Sequence, residues 1–157
     1  MTQNNVSHEE IVAWLEGDDA PSLMKTLGMR VESYNPEAVT VVLDVDDRLF
    51  QPARIVHGGI YVVMAESAAS IAACLRVNVM EYAVMGMEIN ANHLRPVTSG
   101  VLRATAECLH QGSTTHVYSI DIRDGDGNRV CISRCTIAVR PHRASSKPSI
   151  QKGSLNG

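Results

Sequence analysis

Aromatic residues are scarce. The chain of 157 residues holds one Phe, one Trp and four Tyr, so its core has to be aliphatic, built from Val, Ile, Leu, Met and Ala. A basic excess is missing too. Fourteen Lys and Arg face 17 Asp and Glu, for a net charge of −3, and no basic patch argues for nucleic acid. The four cysteines, Cys74, Cys108, Cys131 and Cys135, form no C-x-x-C pair, which argues against a zinc ribbon or a thioredoxin-type site. On a strand Cys131 and Cys135 would lie about 13 Å apart, too far for a disulfide. Reduced, buried thiols are the simplest expectation. No apolar run has the length of a membrane span, and MTQNNVSHEE lacks the basic and apolar regions of a signal peptide. A cytoplasmic protein is therefore expected, with no membrane partner. H-E-x-x-H, G-x-S-x-G and a Walker loop are all absent, and His110 and His116 make no metal pair. No metal and no cofactor is expected.

What is present fits one domain. Ser7 and Glu10 form an S-x-x-E capping box ahead of a short helix through Trp14 and Leu15, which Gly17-Asp18-Asp19 ends. Pro21-Ser22 opens a further helical turn to about Leu27. Two strand-like runs follow, Met29 to Tyr34 and Ala38 to Val45, with a turn at Asn35-Pro36. Asp46 to Val56 reads as a polar loop. Gly59 to about Val77 is the one long helix, rich in small residues (Ala65, Ser67, Ala68, Ala69, Ser70, Ala72, Ala73) that let another layer come close. Four β segments complete the pattern, about Ala83–Arg95, Val101–Gln111, Thr115–Arg123 and Arg129–Arg140. Turn signals lie at 110–113 and 125–128. The order β-β-helix-β-β-β-β describes an α+β domain whose second sheet face or edge meets another subunit. Residues 1–27 form a helical lead-in, 28–143 the domain, and 144–157 a Ser-, Lys- and Gly-rich tail expected to be disordered.

One stretch stands out: VHGGIYVVMAESAAS, Val56 to Ser70. Glu66 is the lone charge between Ile60 and Leu75. It is either an acid held by a partner across an interface or a catalytic carboxylate acting as base or nucleophile. Ser70 lies four residues on and shares its face. His57-Gly58-Gly59 is either a tight turn into the helix or an oxyanion site. At a helix N-terminus the glycine lets a carbonyl reach a bare amide. His57 reads as a loop-orienting residue, and Gln51 means little alone. For His93, in EINANHLRP, a satisfied core or interface role is the better expectation.

These residues together resemble the hotdog-fold acyl-CoA thioesterases, and within them the 4-hydroxybenzoyl-CoA and 1,4-dihydroxy-2-naphthoyl-CoA subgroup. The resemblance runs through Gln51, HGGIYVVMAES, MEINANHLRPV, HQGSTTHVY and RVCISRCTIAVRP, roughly 28 to 143. It implies a curved antiparallel sheet wrapped round the long helix. It also implies a dimer with joined sheets, paired again into a tetramer, whose active sites lie at the dimer interface. Glu66 would then be the catalytic carboxylate and Gly58 the oxyanion donor. Gln51 and His57 would lie near the thioester carbonyl, with Ser70 placing water. His93, Arg95, Ser113, Thr114 and Arg143 match positions of substrate or CoA contact. The implied reaction is hydrolysis of an aromatic acyl-CoA, a route with a place in menaquinone synthesis. A hotdog dehydratase or a non-catalytic acyl-CoA binder are the alternatives. The nine positions from His57 to Glu66 resemble the thioesterases rather than dehydratase spacing.

Overall fold

The computed structural model describes residues 6–17, 22–35, 37–142 and 150. Two short helices lead in: α1 (His8–Glu16) and α2 (Leu23–Leu27). The capping box is present, with the Ser7 hydroxyl accepting from the Glu10 amide while the Glu10 carboxylate accepts from the Ser7 amide. Gly28 closes α2 with φ +78°, a conformation glycine adopts at little cost. Residues 18–21 and Pro36, parts of the expected turns, lie outside the described residues, as do Arg143 and nearly all of the tail.

Strands β1 (Arg30–Tyr34), β2 (Ala38–Asp44), β3 (Tyr82–His93), β4 (Val101–Gln111), β5 (Thr115–Arg123) and β6 (Arg129–Pro141) form one antiparallel sheet. Its order is β1-β2-β4-β5-β6-β3. Helix α3 (Gly58–Cys74) lies against the middle of it. β4 and β5 alternate strictly: Leu102, Ala104, Ala106, Tyr118, Ile120 and Ile122 are fully buried, and the residues between them turn outward. The expected polar loop contains a 3-10 turn, Asp47–Leu49, capped by the Asp46 carboxylate, and a bridge between Phe50 and Val56.

Helix α3 is apolar nearly all round, as a helix enclosed by other layers must be. Ala65, Ala68, Ala69, Ala72 and Ala73 are buried to within 1%. Their small side chains let the sheet come close to the helix axis. The helix ends at Cys74, earlier than its apolar pattern suggests, because the backbone turns at Leu75–Val77. At the other end it starts at Gly58, with His57 as the cap.

β3 is an edge. It pairs with β6 on one side, slips register around Met87, and exposes Met85 (49%) and Met87 (60%). A long edge with exposed apolar side chains is a ready template for a further strand. No described helix is long and apolar enough to cross a membrane.

The close packing gives a direct test. Ala68→Leu, inserted where no free volume exists, is expected to lower unfolding stability by about 1–3 kcal/mol, read from the denaturant midpoint.

Candidate active site

The start of α3 is built from His57. Its Nδ1 accepts from the Gly59 amide at 2.9 Å, and its carbonyl accepts from Ile60 at 2.9 Å. The Gly58 amide has no acceptor among the described residues. A helix N-terminus thus presents one free N–H where its partial positive charge is greatest. His57 acts as the cap that leaves it so, in line with the loop-orienting role expected of it.

Gly58 is also a packing requirement. A Cβ there would come within 2.7 Å of His93 Nε2, so glycine is what lets the imidazole lie over the helix start. His93 is exposed at the end of β3 rather than buried in the core, which leaves the interface half of the expected core or interface role. The buried histidine is His116, whose Nδ1 lies 3.2 Å from the Tyr118 hydroxyl; burial holds its pKa below the usual value. Gln51, Gly58, His93 and Arg95 line one cleft of about 220 Å³. Tyr61, which the sequence did not single out, lies at its base with its ring 5.3 Å from that of His93. Its hydroxyl is buried without a partner among the described residues, and burial pushes its pKa up to about 12, so it stays protonated.

Glu66 lies elsewhere. Eight residues further along α3, it is about 12 Å from Gly58 along the axis. It opens with Ser70 into a separate cavity of about 420 Å³. Its carboxylate has no hydrogen-bond or ion-pair partner among the described residues. It rests on the Cα of Gly86 in β3, where a Cβ would collide with Oε1. The charge is felt through the helix–sheet layer: burial first, then Glu66 and Glu88, push the Cys135 thiol up to about 12. The sequence reading missed Gly86; a glycine inside a strand is the signal that could have found it, since it marks a bulge or a close approach, and here it is both.

Within one chain the remaining candidates stay apart. Ser113 lines a third cavity, near the C-terminal end of α3, with Arg76 and His116. The Thr114 carbonyl accepts from Arg140 Nη1 at 2.8 Å and from the Val139 amide at 2.9 Å. Arg143 lies outside the described residues. No cluster of metal-ligating side chains occurs among the described residues.

The Gly86 contact generates a prediction. Gly86→Ala should leave the fold intact by circular dichroism yet push Glu66 aside and lower thioester turnover about 100-fold, the scale of a 1 Å misplacement. Unchanged turnover would mean that this seat does not position the acid.

Residues 53–131 match the thioesterase superfamily. The 1,4-dihydroxy-2-naphthoyl-CoA hydrolase of Listeria monocytogenes is 44% identical over 121 residues, 77% of this chain and 98% of that protein. The enzyme of the same name from Escherichia coli is 40% identical over 113 residues, 72% of this chain and 82% of that protein. Among solved structures, a mutant of thioesterase PA1618 from Pseudomonas aeruginosa superposes with TM-score 0.79 at 40% identity, covering 83% of this chain and 94% of that one. With its six-stranded curved sheet, its enclosed helix and these relatives, the chain belongs to the hotdog-fold thioesterase superfamily and is a thioester hydrolase.

Proposed function

We propose that the protein hydrolyses an aromatic acyl-CoA of the hydroxybenzoyl or dihydroxynaphthoyl type to free acid and CoA, at a site shared by two protomers. The observation that carries this reading is the pairing of two unused groups on one helix. Among the described residues the Gly58 amide lacks an acceptor and the Glu66 carboxylate lacks a partner. An amide at the positive end of a helix stabilises the oxyanion that forms when the thioester carbonyl is attacked. Gln51 and His93 flank that position in the same cleft. Glu66 supplies the attack, as nucleophile or as base to a water beside Ser70. Two relatives named as dihydroxynaphthoyl-CoA hydrolases support the aromatic acyl class.

The two groups open into different cavities of one chain, which favours assembly across a dimer. The free edge of β3 supports such a pairing. Glu66 is seated on Gly86 and Gly58 lies under His93, seven positions further along β3. Antiparallel pairing of two β3 edges would carry Glu66 of one protomer toward the Gly58 end of the other. Such dimers, paired again, would give the expected tetramer, with Arg95, Ser113, Thr114 and Arg143 as candidates for the exposed CoA nucleotide.

The test is release of free CoA thiol from 1,4-dihydroxy-2-naphthoyl-, 4-hydroxybenzoyl-, phenylacetyl- and hexanoyl-CoA under identical conditions. The first two are expected to give the highest kcat/KM. Glu66→Gln should lower kcat about 10²–10⁴-fold. A highest kcat/KM for hexanoyl-CoA would contradict the aromatic preference, and full activity in Glu66→Gln would contradict the role of the acid.

A further inference from the structure

The cavity beside Glu66 has a wall that no part of the hotdog sheet supplies. Its floor is the α3 stripe that runs from Val63 past Ser67 and Ser70 to Cys74, residues three or four apart and so on one face. Its roof comes from the lead-in: Leu15 of α1, and Leu23 and Met24 of α2. Leu23 is 56% exposed at the rim, an apolar side chain left partly uncovered. Helix α2 has five residues, none of them buried, and its Ser22 cap makes no side-chain hydrogen bond. So short a helix is marginal by itself, and Met24 and Leu27 hold it by packing against the core.

Polarity distinguishes this cavity from the cleft at Gly58. That cleft is about half the size and carries Gln51, His93 and Arg95, groups suited to a carbonyl and a polar arm. The cavity at Glu66 is lined by aliphatic side chains, two serine hydroxyls and a thiol that burial holds protonated, up to about 12. Among the described residues it has no cationic side chain in its lining. Its volume, about 420 Å³, falls in the range of ligand pockets.

Resting on the hydrolase reading above, we infer that this cavity takes the acyl group of the thioester, and that Leu23 and Met24 set the upper limit on acyl size. The acyl carbon must lie next to Glu66 for attack, so its substituent extends along α3 beneath α2. The ligand class is an uncharged acyl group, apolar or bearing hydroxyls that Ser67 and Ser70 can bond. A second carboxylate is excluded, because it would lie near Glu66 with no cation to offset the repulsion.

The experiment compares kcat/KM for benzoyl-, naphthoyl- and succinyl-CoA in the full chain and in Leu23→Ala, Met24→Ala and Leu23→Trp. Each alanine variant should raise the naphthoyl-to-benzoyl ratio about tenfold, and Leu23→Trp should lower it by a similar factor, the scale on which apolar pockets discriminate. The two changes act in opposite directions, so a folding defect in one variant leaves the other decisive. Leu109→Ala, an exposed change on β4 away from both clefts, should leave the ratio as it was. Succinyl-CoA should be turned over at least about 100-fold more slowly than benzoyl-CoA. Ratios within twofold of the parent in both directions, or succinyl-CoA turned over as fast as benzoyl-CoA, would overturn the inference while leaving the hydrolase reading intact. An absence of turnover with every ester would overturn both.

Discussion

Helix α3 comes close to the sheet because its inward residues are alanines, and the chemistry depends on that closeness. At its start, Gly58 has no side chain to keep the His93 ring away. In its middle, Glu66 meets a strand that has no side chain at Gly86. Two glycines on opposite sides of one interface therefore set where the helix lies along β3. A methyl group at either would move a functional group by an ångström or more, and pre-organised sites lose much of their rate over such distances.

The same packing separates the two groups on which the proposed shared site rests. Residues 58 and 66 lie on one helix, and a rigid helix cannot fold back to bring its own residues together. One end offers a donor for developing negative charge; the middle offers a carboxylate that no described residue neutralises. A second helix running antiparallel beside the first would bring the two kinds of group face to face. The exposed methionines of β3 mark where another sheet edge would attach. The lead-in helices then close the remaining side of the Glu66 cavity.

Much of this was legible in the sequence. β4 and β5 follow from strict alternation and turn residues, and their bounds agree with the reading. The apolar, small-residue character of α3 was plain, but its end was not, since Leu75 and Val77 continue the apolar pattern past the last helical turn. Glu66 and Ser70 on one face follow from spacing; His57 was read as orienting the loop, and the structure makes it the cap. The partners of those groups did not. Gly86 and Tyr61 gain meaning only from what lies across the interface, a contact between segments 20 or more positions apart. The sequence left His93 open between core and interface, because whether a strand's last residue is buried depends on the loop that packs beside it. Nothing local around Leu15, Leu23 or Met24 pointed to their place at the Glu66 cavity.

The division of the site is the claim on which the rest turns, and subunit mixing tests it. Glu66→Ala and Gln51→Ala chains, each inactive as a pure protein, would be unfolded together, refolded and assayed. If each site takes Glu66 from one protomer and Gln51 with Gly58 from the other, half of the randomly formed dimers carry one intact site, and about a quarter of wild-type activity returns. If each chain holds a complete site, mixing restores nothing, and the shared-site arrangement is wrong.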